Sequence, residues 1–265
     1  MLRQTFRHID GVGDRTERRL WRAGVHSWEE FLGSRGRAPV PRPLARRIED
    51  ELARSEVALR TGRYRYFADA LPPREHWRAL REFRDGIAYL DIETTGLSMG
   101  RDAVTVVGVY DGRRERSFVK GVNLHELPLA LARSKVLVTF NGARFDLPFL
   151  RRAFPRMRLD QMHVDLMYPL RRLGFRGGLK SIERQVGIER SEETTGLSGF
   201  DAVRLWEAYI RGDQGALDLL LEYNSEDVVN LESLAEMVYA ELRLLSLEEG
   251  FVTADRLRPV HEPAP

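Results

Sequence analysis

The chain has 265 residues, of which 43% are hydrophobic and 31% charged, and a formal net charge of +2 at pH 7. This length allows one large domain or two modest ones, and the composition is that of a globular protein rather than a disordered or fibrous one. The absence of cysteine excludes disulfides, thiolate zinc sites, iron–sulfur clusters and cysteine nucleophiles, and it weakly favours a reducing cytoplasm.

The near-zero net charge conceals a segregation of charge along the chain. Residues 1–84 contain 19 basic and 12 acidic side chains, residues 85–190 contain 18 and 12, and residues 191–265 contain 5 and 16. The basic first and middle segments favour a polyanionic partner such as nucleic acid. Arginine accounts for 39 of the 42 basic residues. A GC-rich genome produces the same bias, so the excess by itself indicates no function.

The first 84 residues are predicted to form a helical module, with a first unit at about 6–32. Helices are expected over Asp14–Ala23, Ser27–Leu32, Leu44–Arg60 and Glu75–Arg84, with a loop over 33–43. The N-terminus has no apolar run after its charges, and no stretch approaches about 18 apolar residues. Neither a signal peptide nor a membrane span is therefore predicted.

From Gly86 onwards the pattern becomes that of an α/β domain, expected over 85–250. Strands are predicted over Ile87–Ile92, Ala103–Tyr110, Glu115–Val119, Lys135–Phe140 and near His163–Leu166, and helices over His125–Arg133, Leu147–Phe154, Leu179–Val186, Ala202–Arg211 and Leu217–Leu245. Three strands joined by hairpins, followed by alternating helices and strands, predict a mixed sheet flanked by helices. Residues 251–265 are expected to form a flexible tail.

The segment Asp91-Ile92-Glu93 places two carboxylates at the end of an apolar strand. Residues two apart on a strand point to the same face. Like charges held together are costly unless a cation or a proton lies between them. Taken alone, Glu93 is better explained as a residue that faces solvent where the strand ends.

Two further acidic positions follow along the chain. Asp146 comes shortly after the strand that ends at Asn141-Gly142, at a helix start where an acid is also an ordinary first-turn residue. Asp227 lies four residues after Tyr223 on the leucine-rich face of the C-terminal helix, which predicts a buried acid in need of a partner. Each acid alone is also explained by a structural role.

Together the three segments resemble the DnaQ-like superfamily of 3′–5′ exonucleases, the DEDD group. The matching residues are Asp91 and Glu93 in the first motif, Asn141, Phe145 and Asp146 in the second, and Tyr223 and Asp227 in the third, which is that of the tyrosine subgroup. The second segment is similar to the exonuclease motif of family B DNA polymerases, and the chain resembles the stand-alone YprB-type domains. The resemblance covers about Ile87–Leu242 and implies a ribonuclease H-like fold.

The resemblance also implies a metal-dependent reaction. Oxygen-rich sites suit Mg²⁺ or Mn²⁺, and two such ions promote in-line displacement at phosphorus. By resemblance, Asp91 would bridge both ions, Glu93 and Asp227 would complete the first site, and Asp146 would hold the second through water. Tyr223 would orient the attacking water, because a Tyr of ordinary pKa, about 10, is a poor base at neutral pH.

A substrate pocket is implied in the same way. The terminal nucleotide is expected over a turn that consists of Thr94, Thr95, Gly96 and Leu97. Asn141 and Phe145 are expected to support it, and core packing is an equally open role for Phe145. His163 and Asp165 resemble extra metal ligands, but we interpret Asp165 as structural.

The beginning of the helical module resembles a helix–hairpin–helix motif. Gly11 and Gly13 permit a tight hairpin, and backbone N–H groups next to Arg15 are placed to hold a DNA phosphate. Two positions depart from the family pattern, since Glu17 replaces a small residue and Asp14 adds negative charge at the phosphate site. DNA binding and a structural or protein-docking role therefore both stay open.

The sequence predicts a cytoplasmic, two-metal-dependent 3′–5′ exonuclease that acts on single-stranded nucleic acid, DNA in preference to RNA, in DNA repair or nucleic-acid processing. The N-terminal module adds duplex binding to this hypothesis. One alternative is a structure-selective endonuclease that uses the same metals. Another is a catalytically inactive nucleic-acid-binding or scaffold protein, against which the complete set of acids and Tyr223 argues.

Overall fold

A five-stranded mixed sheet forms the centre of the molecule in the computed structural model, which describes residues 1–34 and 36–248. The strands are β1 Ile87–Thr94, β2 Val104–Tyr110, β3 Glu115–Val119, β4 Val136–Thr139 and β5 Met162–Asp165. Their order is β3-β2-β1-β4-β5. The pairs β1–β2 and β2–β3 are antiparallel, whereas β1–β4 and β4–β5 are parallel. The predicted mixed sheet flanked by helices is confirmed. The tail expected over 251–265 lies outside the described residues.

Helices cover both faces of the sheet. They are α1 Asp14–Arg22, α2 Trp28–Gly33, α3 Arg42–Arg60, α4 Tyr64–Ala70, α5 Leu127–Leu131, α6 Asp146–Ala153, α7 Met167–Arg172, α8 Leu179–Val186, α9 Gly199–Ile210 and α10 Gln214–Glu248. Short 3₁₀ helices cover Leu2–Gln4, Pro73–Ala79, Arg84–Gly86 and Leu124–Glu126. Among the described residues, no helix is both long and apolar enough to cross a membrane.

Three helical segments differ from the sequence prediction. The prediction of a helix over Glu75–Arg84 is wrong. A 3₁₀ helix covers Pro73–Ala79 instead, and Pro72 is its N-cap. The helices α4 and α7 were not predicted. Pro169 lies in the first turn of α7, where a missing N–H is tolerated.

The N-terminal helices and one face of the sheet share a single hydrophobic cluster. Phe6 and Phe67 of the helical module belong to the same buried cluster as Val138 of β4 and Leu234 of α10. The opposite face of the sheet packs against α5 and α6 through a second cluster that includes Leu90 and Phe149. Burial of the helical module therefore depends on the sheet, and one face of the sheet depends on the module.

A buried carboxylate ties the start of the chain to this core. Glu17 is 2% exposed and accepts hydrogen bonds from Thr5 Oγ1 at 2.7 Å and from the Phe6 backbone N–H at 2.7 Å. Its other oxygen lies 3.1 Å from the buried Arg78 guanidinium. The helix–hairpin–helix pattern has a small residue at this position. Glu17 is accommodated here because its carboxylate accepts the hydrogen bonds of these buried donors.

The 3₁₀ helix Pro73–Ala79 covers the outer edge of β5. The His163 backbone N–H donates to His76 Nδ1 at 3.1 Å, and His76 Nε2 lies 3.2 Å from the Leu71 carbonyl oxygen. An open strand edge would offer unpaired backbone groups to another chain. His76 therefore closes part of this edge.

Candidate active site

Three carboxylates from two elements converge at one end of the sheet. Asp91 and Glu93 of β1 and Asp227 of α10 each contribute an oxygen, and these oxygens lie within 4.8 Å of one another. Glu93 is 7% exposed and Asp227 is 6% exposed. A group of carboxylate oxygens this close together has the chemistry of a divalent cation site.

The backbone geometry explains why these side chains meet. Asp91 and Glu93 alternate with the buried Ile92, so both lie on one face of β1. Tyr223 and Asp227 are one helical turn apart on α10, and α10 packs against β1 and β2. The strand pairing shifts register between Glu93 and Thr94, at the point where β1 leaves the regular ladder.

Asp146 lies beside this cluster without joining it. It is the first residue of α6, it is 2% exposed, and its Oδ1 accepts a hydrogen bond of 3.2 Å from the Ile92 backbone N–H. The backbone of Asn141, in the loop before α6, has a φ of +62°. Asp165 holds that loop by accepting the N–H groups of Asn141 at 2.7 Å and Ala143 at 3.0 Å. This agrees with the structural role predicted for Asp165.

Burial gives all four carboxyl groups raised pKa values. Burial and the charges of Asp227, Asp146 and Glu93 raise the pKa of Asp91 well above its ordinary value. Burial and the charge of Asp227 do the same to the pKa of Glu93. Burial raises the pKa of Asp146 to about 7, and it raises the pKa of Asp227 despite the arginine beside it. Such a cluster is stabilised by a cation or by protons.

One arginine connects the cluster to a second buried acid. The Arg190 side chain is 7% exposed, and its Nε and Nη2 each donate to Glu183 at 2.7 Å. The same Nη2 donates to Asp227 Oδ1. Burial opposes the positive charge, but the hydrogen bonds to Glu183 and the charge of Asp227 raise the pKa of Arg190. Arg190 therefore fixes one oxygen of Asp227 and neutralises part of its charge.

A buried asparagine orients the central carboxylate. Asn224 is 0% exposed, and its Nδ2 donates to Asp91 Oδ2 at 2.9 Å. The cross-strand partner of Asp91 on β2 is Gly108. A Cβ atom on Gly108 would come 2.3 Å from Asn224 Oδ1 and 2.9 Å from Val228 Cγ1. The missing side chain at Gly108 therefore leaves the room in which Asn224 reaches Asp91.

The residues expected to contact substrate lie around this cluster. Leu97 is 84% exposed, while the Thr94 hydroxyl donates to the Gly96 carbonyl oxygen at 2.6 Å. The Thr95 hydroxyl lies 3.3 Å from an oxygen of Asp102. These hydrogen bonds hold the turn, and the Leu97 side chain points from it into solvent.

Phe145 and the N-terminal residues have other surroundings. Phe145 packs on Phe149, with ring centroids 4.9 Å apart, at the border of the second hydrophobic cluster. Gly11 has a φ of +84°, and Gly13 caps α1. Arg15 is exposed on α1. The three N-terminal residues lie on the helical module and do not join the carboxylate cluster.

Sequence reasoning did not single out three polar residues beside the cluster. Asn224 adjoins Tyr223 on the buried side of α10, which was a usable signal. Lys180 lies in the first turn of α8, and its Nζ lies 3.7 Å from the centre of the Tyr223 ring. Arg190 gave no signal, because one arginine in a loop is not distinctive in a chain with 39 of them.

The protein comparisons identify the family. The family model of the RNase_H superfamily matches residues 88–239. This match spans more than half of the chain, so the chain belongs to the RNase_H superfamily. No curated protein sequence matches it significantly.

Several solved structures are similar to it. The family B DNA polymerase from the hyperthermophilic archaeon Pyrobaculum calidifontis is 21% identical, with a TM-score of 0.49 over 62% of this chain and 26% of that chain. A protein described as the apo form of a nuclease is 22% identical, with a TM-score of 0.45, and the match covers 63% of this chain and 78% of that chain. Brucella melitensis NrnC bound to pGG is 25% identical, with a TM-score of 0.42, and the match covers 63% of this chain and 84% of that chain. The matched region thus spans about a quarter of the polymerase.

The contact between Gly108 and Asn224 predicts that a methyl group there disturbs Asp91. We expect Gly108→Ala to lower the free energy of unfolding by about 1–3 kcal/mol through overpacking. We also expect it to weaken Mn²⁺ binding about ten-fold, because Asn224 is displaced from Asp91. Urea unfolding and calorimetric titration measure the two effects. Gly199→Ala, with no atom within 4 Å of the added carbon, is the control. If Gly108→Ala had the wild-type free energy of unfolding and the wild-type affinity for Mn²⁺, the proposed role of the contact between Gly108 and Asn224 would be wrong.

The raised pKa of Asp146 predicts how stability depends on pH. This carboxyl titrates at about 7 in the folded protein, because of burial, and near 3.9 in an unfolded chain. Between those values the folded state keeps a proton that the unfolded state has released, so the contribution of Asp146 to stability falls as pH rises. With a chelator present, wild type should lose more stability than Asp146→Asn from about pH 4 to pH 7. Exposed Asp85→Asn is the control, and equal pH slopes for wild type and Asp146→Asn would refute the prediction.

Proposed function

We propose that this member of the RNase_H superfamily is a divalent-metal-dependent 3′–5′ exonuclease of the DEDD type, in the tyrosine subgroup and similar to YprB-type domains. The observation that carries the proposal is the meeting of Asp91, Glu93 and Asp227 within 4.8 Å, with Asp146 and Tyr223 beside them. Single-stranded nucleic acid is the proposed substrate, DNA in preference to RNA.

The carboxylates fit two Mg²⁺ or Mn²⁺ ions. Asp91, Glu93 and Asp227 would hold the first ion, and Asp91 and Asp146 would hold the second. The fit is supported by the closeness of Asp91, Glu93 and Asp227, and by the pKa values of Asp91 and Glu93, which burial and neighbouring carboxylates raise. Bound divalent cations would supply the positive charge that stabilises the attacking and leaving oxygens of an in-line displacement at phosphorus.

Tyr223 acts as a hydrogen-bond donor that positions the attacking water. Burial and the charges of Asp227, Glu93 and Asp91 raise the pKa of its hydroxyl. The hydroxyl therefore keeps its proton at neutral pH, which excludes it as a general base there. The Lys180 ammonium over the ring holds Tyr223 in place by a cation–π contact.

The terminal nucleotide lies over the turn formed by Thr94, Thr95, Gly96 and Leu97. The large exposure of Leu97 supports this assignment, because an apolar side chain presented to solvent at a site mouth can pack on a base. Asn141 and Phe145 support the pocket from the loop before α6.

The proposal predicts that loss of either central carboxylate abolishes cleavage. Asp91→Asn and Asp227→Asn should reduce Mn²⁺-dependent release of mononucleotides roughly a thousand-fold or more, because charge at the reacting phosphate is no longer compensated. Tyr223→Phe should lose about ten- to a hundred-fold by misplacing the water. Matched 3′- and 5′-labelled DNA and RNA strands, with and without Mn²⁺, measure cleavage and polarity.

The control is Asp218→Asn, which removes an exposed acid from the same helix α10. Undiminished cleavage in both aspartate variants would overturn the assignment. Cutting of a circular single strand would instead support the structure-selective endonuclease. Absence of Mn²⁺ binding in calorimetry would support an inactive binding or scaffold protein.

We further propose that the hairpin before α1 binds duplex DNA. The φ of +84° at Gly11, the glycine cap at Gly13 and the exposed Arg15 support this, since they leave backbone N–H groups open to a phosphate. Asp14 contacts Arg7 and Arg74, which reduces its repulsion of an anion.

Gly13→Ala tests this proposal without backbone strain, because Gly13 has a φ of −90° and no atom within 4 Å of the added carbon. The new methyl group should block phosphate approach and weaken duplex binding about ten-fold, while dinucleotide hydrolysis stays unchanged. Gly33→Ala, also in open space, is the control. Unchanged duplex affinity in Gly13→Ala would favour the protein-docking role.

A further inference from the structure

A cleft of about 540 Å³ lies between the helical module and the edge of the sheet. Its walls come from α1, the 3₁₀ helix Pro73–Ala79, the end of β5, α7 and the last turns of α10. Its volume is within the range of small-molecule and cofactor sites. No part of the proposed reaction uses this cleft.

The acids that line the cleft are already satisfied by other groups. Glu17 and Glu75 both contact the buried Arg78, at 3.1 Å and 2.7 Å. Asp14 lies 3.2 Å from Arg74. Asp165 accepts three backbone N–H groups. Little negative charge is therefore left to repel an anionic ligand.

The groups that remain available are aromatic and cationic. Tyr168 is 44% exposed although it lines the cleft, and Arg172 lies one turn later on the same face of α7. Arg172 makes no ion pair with any residue of 1–34 or 36–248. Trp21 also lines the cleft, but it is buried and its Nε1 donates to the Gln4 carbonyl oxygen. An exposed ring next to a free guanidinium matches a base and its phosphate.

The cleft and the carboxylate site share one wall. Ala143 lines the cleft in the loop before α6, and Asp146 is the first residue of that helix. Asp165, also in the cleft wall, fixes this loop by accepting the Asn141 and Ala143 N–H groups. The loop that leads into Asp146 therefore also forms part of the cleft wall.

We propose that the cleft binds nucleotides of the substrate strand that lie 5′ of the scissile end, with a base on Tyr168 and a phosphate on Arg172. This inference rests on the proposed exonuclease function. It assigns the helical module a part in holding the same single strand, separate from duplex binding by the hairpin.

The test compares a long with a short substrate in the full-length protein. Binding of a fluorescent sixteen-nucleotide oligothymidylate is measured by anisotropy in EDTA, and hydrolysis of a dinucleotide is measured with Mn²⁺. Tyr168→Ala and Arg172→Ala should each bind the long strand about ten-fold more weakly, while dinucleotide hydrolysis stays at the wild-type rate. The salt dependence of Arg172→Ala should fall by about 0.7 in log–log slope for one lost phosphate contact.

The matched control is Arg171→Ala, which removes an exposed arginine next to Arg172 that does not line the cleft. Equal weakening by Arg171→Ala, or wild-type binding by Tyr168→Ala, would overturn the inference. Photocrosslinking of a strand that carries iodouracil should label peptides of α1 or α7, and labels only elsewhere would also overturn it. Failure of the proposed function is distinct, because the dinucleotide would then not be hydrolysed by the wild-type protein.

Discussion

The rest of the structure depends on holding like charges together in a buried place. Asp91, Glu93 and Asp227 lie within 4.8 Å of one another, and burial together with their mutual repulsion raises the pKa values of the first two. The protein compensates this only in part: Asn224 donates to Asp91, Arg190 to Asp227, and a backbone N–H to Asp146. The remaining negative charge is compatible with bound divalent cations, and its free-energy cost must be met by packing elsewhere.

The N-terminal helical module contributes to the hydrophobic packing that offsets this cost. Its aromatic residues share one hydrophobic cluster with β4 and α10, and α10 carries Tyr223 and Asp227. Glu17 ties the first residues of the chain to Arg78, and His76 covers the edge of β5. Stability of the module and the position of α10 are therefore physically linked.

Most of the sheet could be predicted because β-branched runs and hairpin turns are local signals. The three acidic segments were recognisable because together they resemble the motifs of the DnaQ-like exonucleases. The contacts of Asn224 and Arg190 were not predictable in this way. The first requires Gly108 to lie opposite Asp91 in the strand register, and the second requires a loop to fold back onto α10. The 3₁₀ form of Pro73–Ala79 also depends on tertiary contact, since His76 is held by β5.

At one position, Arg190, the structure gives a physical reason for an arginine. This guanidinium donates through two nitrogens to Glu183 and through one of them also to Asp227, and its side chain is 7% exposed. A lysine has one nitrogen at the end of a flexible stem and lacks the planar fork that such an arrangement requires. Arg190 ends the basic part of the chain, and Asp227 belongs to the acidic part. The opposite charges of these two parts, which cancel in the net charge, therefore meet directly at the candidate active site.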